Sequence, residues 1–214
     1  MSEFDQRDVA AMLGGAANAP NAAVQYRGLA SLLNGTPRTI SEIASLSGIS
    51  RSDIEGGIQA LIDAGRIELD GDRVVGVGGL TLISTAHSLS LPNADLHTWC
   101  ALDAVGIPAA LGLTATVETR CAQCGERITV DVNDGTPTAA GPVTLFCPTG
   151  QCDNVCADFC SAANLFCSPT HLSQWRTDNP SALGEDLDLK ATADLGHAMW
   201  GRYRHLPDEP PARG

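Results

Sequence analysis

Thr39-Ile40-Ser41-Glu42-Ile43-Ala44, Gly48-Ile49-Ser50 and Asp70-Gly71-Asp72 punctuate residues 39–77, the stretch whose reading decides the N-terminal fold. Thr39 or Ser41 is a candidate N-cap for a short helix, because a hydroxyl there satisfies a free backbone N–H of the first turn. Gly48-Ile49-Ser50 makes a turn, and Ser50 caps a further helix from Arg51 to about Ala64. Ile54, Ile58, Leu61 and Ile62 fall at helical spacing and are expected to form its buried stripe. Two strand-like runs, residues 65–69 and 73–77, then flank Asp70-Gly71-Asp72, a strong hairpin signal. Upstream, Val24 to Leu33 reads as a helix stopped by Asn34-Gly35. Helix, helix-turn-helix and hairpin in that order spell a winged-helix-like module, placed at residues 23–80. An Ala/Gly/Asn-rich segment, 1–22, precedes it and is expected to be flexible.

A winged helix usually suggests DNA, but the charge argues otherwise. The helix that would read a groove carries Arg51 against Asp53, Glu55 and Asp63. Across 214 residues the net charge is -12, which opposes binding to a phosphate backbone, so no nucleic-acid partner is expected. Packing, or service as a lid, is the role expected of this module.

Apolar residues make up 43% of the chain, enough for a core, and an aromatic fraction of 4% means that Ala, Leu, Val and Ile must build it. No apolar run is long enough to span a membrane. The acidic start, Met1-Ser2-Glu3-Phe4-Asp5, lacks the basic and apolar regions of a signal peptide, so a cytoplasmic location is expected. Eight cysteines in such a chain are read as reduced thiols for metal binding or catalysis rather than as a disulfide framework.

Residues 81–206 read as a mixed α/β catalytic domain with a small sheet, so the whole chain is expected to be α+β. Leu96 to Ala104 is expected to be a short helix ending near Gly106-Ile107-Pro108. Strands follow at 114–119, 126–132 and 143–146, with a loop over 133–142. Asp153 to Phe159 is expected to be helical, and a late helix starts near His171. An amphipathic helix covers Ala191 to Tyr203, and residues 207–214 are a charged, Pro-rich tail.

The chemistry concentrates in Trp99-Cys100-Ala101-Leu102-Asp103 and in Phe159-Cys160, sixty residues after the first cysteine. On one helix, Cys100 and Asp103 would share a face. A thiolate there binds a soft cation while the carboxylate beside it moves a proton. His97 is a possible base. Cys121-Ala122-Gln123-Cys124-Gly125 has the spacing of a zinc knuckle, with Cys147 and Cys152 as candidates to complete a structural site. Cys156 and Cys160, one helical turn apart, form another possible metal pair. Cys167, beside Phe166, is expected to be a buried apolar thiol, and His87, His171, His197 and His205 have no ligand-like spacing.

These residues carry a resemblance. Trp99 to Asp103, the apolar run through Pro108 and Ala110, Gly112, Thr114-Ala115, Arg120-Cys121-Ala122, Phe159-Cys160, Phe166, Ser168-Pro169-Thr170 and Trp175 resemble the organomercurial (alkylmercury) lyases. The resemblance covers roughly residues 24–205 and implies protonolysis of a carbon–mercury bond to give a hydrocarbon and Hg(II). It implies that Cys100 and Cys160 bind mercury, that Asp103 transfers the proton and also touches the metal product, and that Cys121 is structural. No resident cofactor is implied. The implied partners are an organomercury substrate, low-molecular-weight thiols that release the product, and a mercuric reductase that receives Hg(II). Cys124, Cys147, Cys152 and Cys156 exceed the family pattern and are expected to be accessory or structural metal ligands, with zinc as one occupant. The alternative readings are a non-enzymatic thiolate protein for zinc, copper or mercury, and a metal-responsive DNA-binding regulator.

Overall fold

The computed structural model describes residues 19–150 and 152–204. The tail at 207–214 and all but the end of the segment 1–22 lie outside them. Helix α1 spans Ala19–Leu32, so the last residues of that segment are already helical. After a short strand β1, Arg38–Thr39, helix α2 runs over Ile40–Ser47. Thr39 is its cap: the Glu42 N–H donates to Thr39 Oγ1 at 3.2 Å, and the Thr39 N–H donates to Glu42 Oε2 at 2.7 Å. Gly48, at φ 66°, ends the helix in the left-handed region, and Ser50 then caps α3, Arg51–Asp63. Ile54, Ile58 and Leu61 are buried as expected, but Ile62 is 40% exposed. The helix buries a narrower stripe than the four isoleucine and leucine positions suggest.

Strands β2, Ile67–Asp70, and β3, Arg73–Val77, form the expected hairpin, with a bulge at Glu68/Leu69. The three helices and hairpin therefore occur in the expected order. The hairpin is also part of something larger. β2 lies on one side of β3, while β1 and β4, Leu80–Thr81, share its other side. From β4 the sheet continues through β6, Asp95–Thr98, and β5, Ser88–Ser90, to β7, Ala115–Arg120. It ends with β8, Arg127–Asn133, and β9, Thr136–Thr138. This nine-stranded antiparallel sheet replaces the small sheet expected, and it runs unbroken past residue 80.

Helix α4, Ala101–Leu111, is buried over its whole length. It starts later and ends later than the sequence suggests: residues 95–98 are strand, and Gly106 and Pro108 sit inside the helix. Gly106 is there for packing. A Cβ on Gly196 would lie 2.6 Å from the Gly106 Cα, so α6, Leu189–Trp200, meets α4 backbone to backbone. Three antiparallel strands, β10 (Thr144–Pro148), β11 (Asn164–Phe166) and β12 (Gly184–Asp188), make the second sheet. Helix α5, Pro169–Asp178, covers it through Trp175, which packs at 4.8 Å from Phe146 and 5.5 Å from Phe166. Among the described residues no helix is long and apolar enough to cross a membrane.

Candidate active site

Cys100 occupies the N-cap of α4, in extended conformation at φ -149° and ψ 174°. The strand leading to it is pinned. Thr98 Oγ1 donates to the Cys100 carbonyl at 2.9 Å, and the Trp99 N–H donates to the Gly79 carbonyl at 3.0 Å. Asp103 is the third residue of the helix, where a carboxylate reaches back to the cap. Its Oδ2 accepts the Cys100 backbone N–H at 3.1 Å and the Cys100 thiol at 3.2 Å. Cys160 Sγ lies 4.0 Å from the same oxygen. The three side chains are 0%, 5% and 7% exposed for Cys100, Asp103 and Cys160. Sequence spacing anticipates the first pair; the fold delivers the third member.

Cys160 arrives at the end of a π-helical turn, Val155–Cys160, rather than an α-helix. That turn is fastened to the end of α3: the Val155 N–H donates to Ala64 O at 2.9 Å, and Asn154 Nδ2 to Asp63 O at 3.1 Å. Cys156 Sγ donates to Gly65 O at 3.2 Å. On the other side, the Ala101 N–H of α4 donates to Ala163 O at 3.1 Å. The end of α3 and the turn after it are thus hydrogen-bonded to the segment that carries Cys160. Sequence reasoning missed Gly79. A Cβ there would fall 2.7 Å from the Asp103 carboxyl carbon, and its φ of +100° disfavours any other residue. The pair Gly78-Gly79 was the available signal.

Burial sets the protonation chemistry. Asp103 is raised from the ordinary 3.8 to about 7 by burial, although hydrogen bonds from Cys100 pull the other way. Burial also pushes the Cys100 thiol up. Cys160 is pushed up as well, first by hydrogen bonding with Cys100 and Cys156 and then by burial. Cys156 goes down because Cys160 donates to it. Cys100 and Cys160 therefore keep their protons at neutral pH, while Asp103, at about 7, is poised to take up or give one. His97, on β6, is not part of this group.

The other cysteines sort differently from the sequence expectation. Cys147 is buried on β10, where burial, then the nearby Cys100 and Glu185, push its thiol up to about 12. Cys152 lies near Arg66 and Asp158. Neither joins Cys121 and Cys124. The residues that do are Cys167 and His171, with all four ligand atoms within 4.8 Å of one another. The missed signal is Cys167-x-x-x-His171, a cysteine and a histidine four apart across a helix start.

The chain is similar to known proteins over most of its length. A model of the MerB family, alkylmercury lyase, matches residues 80–201. An alkylmercury lyase of Bacillus cereus is 30% identical over 187 residues, covering 86% of this chain and 82% of the relative. The chain belongs to the alkylmercury lyase family. A Pseudomonas putida alkylmercury lyase is 34% identical over 130 residues, 59% of each chain. The fold matches a crystal structure of the mercury-bound form of MerB2 with a TM-score of 0.82, at 20% identity, over 94% of this chain and 100% of that one. Alkylmercury lyases are enzymes of carbon–mercury bond cleavage, and the chain is an enzyme of that kind.

Proposed function

We propose that this protein cleaves organomercurials by protonolysis, with Cys100 and Cys160 binding mercury and Asp103 transferring the proton. The observation that carries the reading is the convergence of both thiols on one carboxylate oxygen, Asp103 Oδ2, at 3.2 and 4.0 Å. Mercury is a soft cation and thiolates are its preferred ligands. A substrate R–Hg–SR′ exchanges its thiolate for Cys100. Asp103 takes the Cys100 proton as the sulfur–mercury bond forms, and the departing R′S⁻ takes the proton of Cys160 as that sulfur also binds. Two thiolates load electron density onto the mercury-bound carbon. Asp103, now protonated, delivers its proton to that carbon while the carbon–mercury bond breaks. The sum is R–Hg–SR′ plus two thiols giving RH, R′SH and mercury held by two thiolates. A carboxyl group raised to about 7 suits both halves of this exchange.

Two further thiols in solution release the metal as Hg(SR′)2 and restore both cysteines. Hg(II) leaving on small thiols is the form in which a mercuric reductase would take it up. No resident cofactor enters this scheme. The eight free cysteines fit a reducing, cytoplasmic setting. The N-terminal module acts here as a brace rather than a reader of DNA, because Arg51 of α3 is paired with Glu55 at 2.7 Å.

The test is incubation of reduced protein with methylmercury and excess small thiol, following methane by gas chromatography. Methane from the wild-type chain, lost in Cys100→Ser, supports the reading. Tight mercury binding without methane contradicts it and favours a thiolate metal-binding protein.

A further inference from the structure

A second group of sulfur ligands lies outside the chemistry above and shares no residue with it. Cys121 and Cys124 sit in the turn between β7 and β8. The Gly125 N–H donates to the Cys121 carbonyl at 2.8 Å, and Gly125 has φ +73°, which folds the turn back on itself. Cys167 directly follows β11, and His171 occupies the first turn of α5, its N–H donating to Ser168 Oγ at 3.2 Å. The turn and β11 are already tied by the Ala122 N–H donating to Leu165 O at 3.1 Å. Within the group, Cys124 Sγ is 3.8 Å from Cys167 Sγ, Cys121 Sγ is 3.7 Å from His171 Nδ1, and Cys167 Sγ is 3.0 Å from the same nitrogen. A tetrahedral zinc with ordinary bond lengths sets sulfur atoms about 3.8 Å apart and sulfur and nitrogen about 3.6 Å apart.

We propose that Cys121, Cys124, Cys167 and His171 form a Cys3His site that holds one zinc ion. Three thiolates and an imidazole are the ligand chemistry of a tetrahedral, borderline-soft, redox-inert cation. Four protein ligands leave no open coordination position, so the ion is structural. It joins the turn of the nine-stranded sheet to the three-stranded sheet and to α5. It also anchors one end of the segment 160–167, whose other end is Cys160. Zinc thereby fixes the piece of chain that presents a mercury-binding thiol, and this positional consequence alone rests on the function proposed above.

The test measures metal rather than activity. Full-length protein is expressed with zinc, washed with a mild chelator under reducing conditions, and analysed by mass spectrometry for metal per chain. One zinc per chain is expected, retained in the Cys100→Ser/Cys160→Ser double variant and in Cys147→Ala. Cys124→Ser and His171→Ala are expected to lower retained zinc at least about fivefold, and His171→Cys to keep it. Because a variant that loses zinc can fail to fold, cobalt substitution of the wild-type chain gives a second reading. Intense visible bands of tetrahedral cobalt with thiolate charge transfer in the near ultraviolet are expected, shifted in His171→Cys. No zinc above background in the reconstituted wild type overturns the proposal. So does zinc unaffected by both Cys124→Ser and His171→Ala, or a Cys124–Cys167 disulfide in freshly purified protein.

Discussion

Two sulfur clusters a short segment apart set the same side chain in different surroundings. At Cys100 and Cys160 the thiols lie in the core beside a carboxyl group; burial pushes Cys100 up, and hydrogen bonding with Cys100 and Cys156, then burial, pushes Cys160 up. At Cys121, Cys124, Cys167 and His171 the cluster is closer to the surface, with Cys124 exposed. Burial pushes Cys121 up, but the backbone N–H groups of Cys167, Cys124 and Gln123 together outweigh it and bring the thiol to about 6. The first cluster joins two sulfurs to a carboxyl group; the second joins three sulfurs to an imidazole and includes no carboxyl group. A catalytic metal site needs a position for substrate and a proton to give, whereas a structural one needs a closed set of donors. Sulfur content alone does not separate them; the neighbours of each sulfur do.

That comparison can be broken most readily at the catalytic cluster. Cys100→Ser or Cys160→Ser is expected to lower hydrocarbon formation by roughly a thousandfold or more, about 4 kcal/mol of barrier, because a hydroxyl is a poor ligand for a soft metal. Steady-state gas chromatography reads this, and near wild-type turnover in either variant would place the chemistry elsewhere.

A second prediction uses pH. Asp103 titrates at about 7 in the folded chain against an ordinary 3.8, so the folded state holds a proton that the unfolded state has lost between those values. Its contribution to stability is fully present below about pH 4 and is lost as pH rises toward 7. The total is at most about 4 kcal/mol, near 1.4 kcal/mol per pH unit. Asp103→Asn removes this dependence, so relative to wild type it gains stability between pH 5 and pH 8 in urea unfolding. A variant that loses ground over that range would mean the carboxylate is stabilised, not strained, by its surroundings.

Packing gives a smaller effect. Gly196→Ala puts a methyl against the Gly106 backbone and is expected to cost about 1–3 kcal/mol, seen as a lower Tm. It displaces α4 and therefore Cys100 and Asp103, so activity falls while zinc content stays. Equal loss of both would mean the two clusters are not independent. The smallest change is expected for Cys147→Ala, which removes a buried thiol near Cys100 that belongs to neither group. About 1 kcal/mol of stability and no more than a fewfold loss of rate are expected.

What could be read beforehand follows the range of the interactions concerned. The caps at Thr39 and Ser50, the hairpin at Gly71 and the Cys100/Asp103 pairing are set by residues within a few positions of one another, and sequence carries them. Helix α4 runs past the stop that its sequence suggests: glycine and proline end isolated helices, while here Gly106 admits a neighbouring helix 90 residues away at Gly196. Strand β12 carries no strand signal in the sequence, because Gly184–Asp188 is acidic and gains its place only by pairing with β10. Cys147 and Cys152 are the candidates nearest in sequence for completing the second cluster, but 43 residues separate Cys124 from Cys167, and the turn meets the start of α5 only in the fold. The pair Gly78-Gly79 marks a turn in the sequence, but that Gly79 makes room for the Asp103 carboxyl is visible only in the fold.

The most direct test of the central claim separates mercury binding from proton delivery at Asp103. Asp103→Asn is mixed with one equivalent of methylmercury under anaerobic, reducing conditions, and protein-bound mercury and released methane are measured in the same sample. Mercury retained on Cys100 and Cys160 with methane reduced at least about a hundredfold is the predicted result. Methane at the wild-type rate would contradict the assignment of Asp103, and with it the reading of the three residues as one protonolysis site.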